Sequence, residues 1–206
     1  MRLCVAYAHK SASAHYASGG FCNVEKTGKA LARAALKAGW NAQGSVHCMG
    51  DGAAWIAKQA QLQFGPECFL LDFFHVCEYL HPAAQACNPQ HPEEWIQQQA
   101  QWLKKSESSK VIEAMEPYIE KENIADKDAP VRCAHRYLSN RLEQLDYKSA
   151  LEKELPIGSG KIESAHGHII QDRMKKSGAA WDIKNADAMI NIRVARANLE
   201  WEACWN

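Results

Sequence analysis

The sequence predicts an α/β fold in which an all-helical insertion interrupts a sheet before the last helices of the core. Short apolar runs are each followed by a helical pattern, which is the alternation that α/β proteins show. Between Pro89 and Leu151 the strand signal disappears and only helical spacing remains. The 206 residues are 47% hydrophobic, so the chain can bury a core and global disorder is excluded.

The first strand is predicted at Leu3–Ala8, a short apolar run with Cys, Val and Tyr. Residues 9–26 are rich in Gly, Ser and Ala, and they predict a connection without regular structure. An amphipathic helix is predicted over Thr27–Trp40, because its apolar residues share one face and Gly39 supplies a stop.

Two further strand–helix pairs follow. A strand at Ser45–Met49 precedes a helix at Ala53–Phe64, and a strand at Cys68–Leu71 precedes a helix at Phe73–Ala86. This order is typical of βαβ units on a mostly parallel sheet.

The inserted region carries three helical segments between residues 89 and 151. Trp95 and Trp102 lie seven positions apart there, a helical spacing that favours core packing over a base-stacking surface. A last helix is predicted over Asp182–Glu200, with a tryptophan-rich end to the chain after it.

The eight cysteines do not form the pattern of a disulfide framework. Cys4, Cys48 and Cys68 lie inside apolar runs, where a free thiol acts as a small hydrophobic group. No CxxC pair, secretory segment or apolar run of about eighteen residues occurs in the sequence. We therefore expect a cytoplasmic protein with reduced thiols and no membrane association.

Two aspartates stand where a predicted strand passes into a helix. Asp51 lies between Gly50 and Gly52, and Asp72 follows the third strand. Ligands of such sheets gather beyond the carboxyl ends of the strands, so the pair suggests a metal or phosphate site. Helix N-capping is the alternative, and it applies more readily to Asp72 than to Asp51.

A third candidate stretch runs from Pro156 to Trp181 and contains Gly158 and Gly160. A helix is predicted to start near Ser159, with Glu163 in its first turn and an apolar inner face. The residues of that face are Ile162, Ala165, Ile169 and Met174. Glu163 is either a solvated carboxylate favoured by the helix dipole or a ligand that points into a polar cleft.

A basic edge follows Glu163. Arg173, Lys175 and Lys176 are expected to extend the same helix, and together with Lys161 they are candidates for contact with DNA phosphates. From residue 156 to residue 196 there are seven Lys or Arg against four Asp or Glu, although the whole chain has no net charge. An ordinary solvated surface is the alternative to a DNA-binding edge.

Three segments, Gly50–Ile56, Leu71–Leu80 and Ile157–Ala165, together resemble the DDE transposases of the ISKra4-type insertion sequences. Residues 171–178 and the C-terminal tryptophans Trp201 and Trp205 continue the resemblance, which begins at about residue 2. The resemblance implies a ribonuclease H-like core in residues 1–88 and 152–206 and a helical insertion in residues 89–151.

The resemblance also assigns roles to single residues. It implies that Asp51 and Glu163 are the second and third catalytic acids, and that Asp72 and His75 form the D-x-x-H pair of such enzymes. Asp51, Glu163 and Asp72 would then hold two Mg²⁺ ions for cleavage and transfer of DNA strands, with transposon ends and target DNA as partners. His75 would contact a phosphate or orient a carboxylate, unless it is simply a paired histidine on a helix face.

The sequence departs from this family at the first acid. No aspartate precedes Asp51, and Glu25, the only acidic residue upstream, does not match the motif. The resemblance therefore implies the C-terminal part of a catalytic domain with an incomplete sheet, which we expect to be inactive alone.

Two other classes of function stay open, as does a homo-oligomeric state. The first is a nucleic-acid-binding remnant without catalysis, for which the basic edge would suffice. The second is a Cys/His metal-binding protein using His75, Cys77 and His81, although zinc sites usually have a second group of ligands elsewhere in the chain.

Overall fold

A computed structural model describes residues 2–21 and 23–202 of the chain. The structure is mixed α/β and mostly helical, with small sheets. It divides into two compact units. Unit 1 contains Met1–Cys48, Ala53–Cys68 and Ser159–Asn206, and unit 2 contains Met49–Gly52 and Phe69–Gly158.

The described strands form two separate pairs. Strand β1 (Arg2–Ala6) pairs with β2 (His15–Gly20) in the antiparallel sense, and β3 (Cys48–Gly50) pairs with β4 (Phe69–Leu71). The backbone N–H of Cys48 donates to Cys68 O at 2.6 Å, and the N–H of Asp72 donates to Gly50 O at 2.9 Å. The partner advances along one strand as the residue advances along the other, which is the parallel arrangement. The prediction of one mostly parallel sheet is wrong for the described residues, because their strands form two separate pairs and one of the pairs is antiparallel.

Strand β2 lies in the stretch 9–26 that was expected to be an irregular connection. A Cβ atom on Gly19 would lie 2.4 Å from Thr27 Oγ1, so the absence of a side chain lets β2 pack closely against the helix that follows. Strand β2 ends in Ser18, Gly19 and Gly20 instead of the β-branched and aromatic residues that usually mark a strand, so the sequence did not predict it.

Two helices of unit 1 confirm the sequence pattern. Helix α1 spans Val24–Lys37 and begins after Asn23, whose side chain accepts the N–H of Lys26 at 2.8 Å. Helix α2 spans Ala54–Phe64 and ends at Gly65, whose φ of 104° a residue with a side chain rarely adopts.

The described C-terminal part of unit 1 contains helices joined by an irregular stretch at residues 175–182. Helix α8 (Gly160–Ala165) continues through a π-helical turn (His166–Gln171) into the short α9 (Asp172–Met174), and α10 spans Ile183–Ala197. The buried core of this part consists of Ala165, Ile169, Ile170, Ile190 and Val194. The predicted inner face of the helix after Ser159 is confirmed for Ala165 and Ile169, which are buried, and for Met174, which packs against the core, whereas Ile162 is only partly buried.

Unit 2 is built around α3 (Phe73–Cys87) and the inserted helices. These are α4 (Pro92–Lys104), α5 (Ser108–Met115), α6 (Pro130–Ser139) and α7 (Tyr147–Glu152). Four α-helices, with short 3₁₀ turns between α5 and α7, replace the three helical segments predicted from the sequence. The division of the chain at residues 88 and 151 stays a prediction.

One large apolar core holds unit 2 together. Its fully buried members include Leu71, Val76, Leu80, Leu103, Val111, Met115, Leu138 and Tyr147. Trp95 and Trp102 pack partly buried against this core, which confirms their predicted core role.

Each of the six cysteines in the described ranges is a free thiol. Cys4, Cys48 and Cys68 are buried, as expected, and burial raises the pKa of Cys4 to about 12. None of the helices in those ranges is long and apolar enough to cross a membrane.

A polar network joins the segment before α6 to its first turn. The Glu120 carboxylate accepts the N–H groups of Val131 and Arg132 at 3.0 Å and 2.7 Å, and so caps the helix. Asp126 accepts from Arg132 at 3.0 Å and from Arg136 at 2.6 Å. Partial burial opposes ionisation of Glu120, but the hydrogen bonds outweigh it and the pKa of Glu120 is lowered.

This network predicts a stability that depends on pH. Since the folded pKa of Glu120 is depressed, its contribution is present above the unfolded pKa of about 4.3 and is lost as the pH falls through the folded value. Glu120→Gln should lower the free energy of unfolding by about 1 kcal/mol at pH 7, as for other lost caps. Urea unfolding followed by circular dichroism at pH 7 and pH 3 measures both effects. Glu122→Gln, an exposed neighbour, is the control; equal losses in both variants would contradict the prediction.

Candidate functional site

Asp51 lies in a tight turn that follows β3. Its side chain is exposed, whereas Gly52 beside it is buried. Tyr137 Oη donates to the Asp51 carbonyl oxygen at 2.9 Å. The Nε and Nη2 groups of Arg141 donate to the Gly52 carbonyl oxygen at 3.1 Å and 3.0 Å. The backbone of the turn is therefore held by side chains from the inserted helices, and the carboxylate is left facing outward.

Gly52 is required for this turn on two grounds. Its φ of +77° lies in the left-handed region. A Cβ atom there would lie 2.4 Å from Tyr137 Oη and 2.5 Å from Leu71 Cδ1. The glycine next to Asp51 thus allows the close approach of a tyrosine hydroxyl from the same chain.

Asp72 follows β4 and is only 2% exposed. Its Oδ1 accepts the N–H groups of Phe74 and His75 at 2.8 Å and 3.0 Å, which makes it the N-cap of α3. The capping alternative is therefore confirmed for Asp72. It does not hold for Asp51 at helix α2, where the N-cap residue is Ala53.

The pairing of β3 with β4 brings the two aspartates to the same end of the strand pair. The N–H of Asp72 donates to Gly50, the residue immediately before Asp51. One carboxylate is buried in a cap and the other is exposed on a fixed turn. Oxygen donors at the carboxyl ends of parallel strands are where such a sheet binds a ligand.

His75 stands in the first turn of α3, next to an aromatic cluster. Its Nδ1 lies 2.9 Å from Glu78 Oε2, and its ring meets the rings of Tyr79 and Tyr137 edge-on at 5.6 Å and 6.0 Å. Tyr79 and Tyr137 are stacked with their centroids 3.9 Å apart. The histidine is paired, as the structural alternative expected, but its side chain is 31% exposed and can still reach a ligand.

Burial raises the pKa of Tyr137, and the positive charge of Arg141 opposes this effect only in part. The phenol therefore stays protonated at any ordinary pH and remains a hydrogen-bond donor to the Asp51 turn. Sequence reasoning missed this role for Tyr137 and for Arg141. Tyr137 lies 86 positions from Asp51, and no local pattern announces so distant a contact.

Glu163 belongs to unit 1 and lies in the first turn of α8, as predicted. Its carboxylate is exposed, and Ser159 Oγ donates to its Oε1 at 3.2 Å. Ser159 is also the N-cap residue of the helix. The serine of the Gly-Ser-Gly segment thus both starts the helix and restrains the glutamate.

The predicted basic residues have different surroundings. The Lys161 ammonium lies 3.6 Å from the centroid of the Tyr7 ring and donates to Ser11 O at 3.1 Å. Arg173 lies 5.3 Å above the Trp181 ring. Lys175 and Lys176 are exposed, but they follow the last residue of α9 instead of extending the helix, which corrects the expectation.

The π-helical turn at His166–Gln171 directly after α8 was not predicted. Arg193 of α10 binds two carbonyl oxygens of this turn, donating from Nε to Ile169 O at 2.6 Å and from Nη2 to His168 O. Burial and the charge of Lys175 lower the pKa of His166. Turns of this kind are often found at functional sites. Gly167, a poor residue for a helix interior, was the only local sign of it.

No group of three or more His, Cys, Asp or Glu that could hold a metal ion occurs within residues 2–21 and 23–202. The His75, Cys77 and His81 set of the Cys/His alternative is therefore not such a group. His75 and Cys77, two positions apart on α3, point to different sides of the helix.

Comparison with known proteins gives one match. A sequence profile described as an uncharacterised protein family (UPF0236) matches residues 40–203, a range that includes all three motif segments around Asp51, Asp72 and Glu163. Searches of curated proteins and of solved structures found no match.

The geometry of the Asp51 turn predicts the effect of Gly52→Ala. The added methyl would meet Tyr137 and Leu71 at a strained φ, so we expect a loss of roughly 1–3 kcal/mol in the free energy of unfolding. Urea unfolding followed by tyrosine and tryptophan fluorescence measures it. Gly160→Ala is the matched control, because no atom lies within 4 Å of a Cβ atom there and no positive φ is required. Equal stability of the two variants would show that the turn adapts.

Proposed function

The chain belongs to the uncharacterised protein family (UPF0236), and from this premise we propose that it is a transposase protein that acts on DNA through carboxylate-held metal ions. The observation that carries the proposal is the pair of acids at the joined ends of β3 and β4, with Asp72 bonded to the residue before Asp51. The order and spacing of the three motif segments support the narrower assignment to ISKra4-type DDE transposases.

The donor chemistry of these residues fits Mg²⁺. Asp51 and Glu163 present exposed carboxylates, and hard oxygen ligands are those that Mg²⁺ prefers. Asp72 uses Oδ1 in the cap of α3, so any contact it makes with an ion would come from Oδ2. When bound between such carboxylates, paired Mg²⁺ ions neutralise charge at the attacking and leaving oxygens of a phosphodiester.

The role of the protein's other residues is to hold the metal-binding carboxylates in place and to bind the DNA backbone. The turn around Asp51 is rigid because its carbonyl groups are bound by side chains, and Glu163 is restrained by Ser159. His75 lies close to Asp72 along α3, with its Nδ1 against Glu78, and its Nε2 is the ring atom that we assign to a phosphate oxygen. Lys161, Arg173, Lys175 and Lys176 are proposed to bind the DNA backbone.

Two acids of this chain, Asp51 and Glu163, match the transposase motifs, and Asp72 lies beside the first of them. A two-metal site needs a further anionic ligand between the ions, so we expect no strand cleavage by these residues alone. Binding of DNA without catalysis is the second candidate function. It is favoured by the finding that the described residues contain no preassembled group of three metal ligands.

Single substitutions test whether each acid contributes to Mn²⁺ binding. Asp51→Asn and Glu163→Gln should each weaken the binding of Mn²⁺, measured by calorimetry or by electron paramagnetic resonance, by about tenfold or more, a loss of roughly 1.4 kcal/mol.

The control for these variants is Glu122→Gln, which removes an exposed carboxylate outside the motifs. Unchanged affinity in one of the two single variants would remove that acid from the metal-binding proposal. Unchanged Mn²⁺ affinity in the double variant would remove the metal-binding part of the proposal and leave the second candidate function.

DNA binding should depend strongly on salt, because Lys and Arg contacts to phosphates release counterions. Replacing Arg173, Lys175 and Lys176 by alanine should reduce the slope of log K against log salt by about one for each lost contact. Fluorescence anisotropy with a duplex oligonucleotide between about 50 and 200 mM salt measures the slope.

The matched control replaces one arginine and two lysines of the same unit, Arg33, Lys29 and Lys58, which are exposed on α1 and α2. Both triple variants carry the same change in net charge. An equal decrease of the slope in both would mean that the DNA contact is not specific to the basic edge.

A further inference from the structure

We propose that Tyr137 and Arg141 are positioning residues for Asp51, so that the helical insertion is a working part of the site. This inference rests on the proposed function for the role of Asp51, but the contacts that carry it do not. Tyr137 lies in the last turn of α6 and Arg141 two positions beyond the helix, both far along the chain from the turn that they bind.

Three donors bind two successive carbonyl groups of the turn. Tyr137 Oη binds the Asp51 oxygen, and the two N–H groups of Arg141 form a fork on the Gly52 oxygen. Both carbonyl groups lie at the exit of β3, where the ladder with β4 has ended. Without these donors the two carbonyl groups would have to find water, and the turn would be free to change its φ and ψ angles.

The two donors also support each other. The Arg141 guanidinium lies 4.2 Å from the centroid of the Tyr137 ring, and its Nη1 donates to the Tyr137 carbonyl oxygen at 3.0 Å. Tyr79 stacks on the Tyr137 ring with the two centroids 3.9 Å apart. Tyr137 is only 8% exposed, so its ring cannot leave the turn without disturbing the packing around it.

Two different sets of contacts hold the backbone before and after Asp51. Backbone pairing fixes Gly50 before Asp51, and the α6 donors fix the two carbonyl groups after it. Asp51 itself is exposed between these two sets of contacts. A ligand carboxylate held on a fixed backbone loses less entropy when it binds an ion, which raises the affinity of the site.

The test uses Tyr137→Phe, Arg141→Lys and their combination in the full chain. Tyr137→Phe removes one hydroxyl and keeps the ring, and Arg141→Lys keeps the charge but removes the fork. The controls are Tyr118→Phe, at an exposed tyrosine of the same unit, and Arg136→Ala, at an arginine of α6 that binds Asp126 instead of the turn.

The first readout is amide hydrogen exchange at Asp72, whose N–H is bonded to Gly50 O next to the turn. We expect exchange to be about tenfold faster in the test variants, relative to the Cys133 N–H within α6, which is bonded to Ala129 O. The second readout is Mn²⁺ affinity, which should fall threefold to tenfold in the single test variants and not in the controls.

Each outcome decides a different point. Unchanged exchange at Asp72 relative to Cys133 would overturn the inference that these side chains fix the turn. Faster exchange with unchanged Mn²⁺ affinity would overturn the positioning role. If the unaltered chain binds no Mn²⁺, the metal-binding proposal fails, and the exchange data alone decide whether Tyr137 and Arg141 hold the turn.

Discussion

Asp72 is the residue on which the arrangement of unit 2 most depends, because its backbone and its side chain bind different parts of the chain. Its N–H joins the end of β4 to the end of β3, and its carboxylate starts α3 by accepting two backbone N–H groups. A carboxylate that is 2% exposed is expensive to desolvate unless such donors meet it. Strand pairing, the start of α3 and the nearness of Asp72 to the Asp51 turn therefore depend on a single residue, through its backbone N–H and its carboxylate.

The sequence could predict the elements whose cause is local. Helix α1 has an apolar face, α2 ends at a glycine, and α3 follows a capping aspartate. Strand β2 was not predicted, because its glycines have a low strand propensity and instead allow close contact with Thr27. The positions of Asp51, Asp72 and Glu163 at element ends were also predictable, whereas the contacts of Tyr137 and Arg141 were not. Those contacts depend on the packing of α6 against α3, which no spacing along the chain records.

The two aspartates illustrate how similar residues in similar sequence positions can differ in environment. Each follows a short strand, and each precedes a helix. The carboxylate of Asp72 accepts two N–H groups of its own helix and is buried. Asp51 is exposed, and two distant side chains bind the carbonyl groups of its turn. Capping and ligand binding were competing explanations for both residues; the structure shows a cap at Asp72, whereas Ala53 and not Asp51 is the N-cap of α2.

The π-helical turn between Glu163 and Arg173 has a geometric consequence for how the acid and the basic edge face their surroundings. A π turn corresponds to one residue inserted into an α-helix, and one residue of an α-helix advances the side chains by about 100° around the axis. The turn therefore sets the azimuth of Arg173 relative to Glu163, and Arg193 fastens it by binding its carbonyl groups. The direction in which Arg173 points around the helix axis thus depends on the one residue that the π turn inserts.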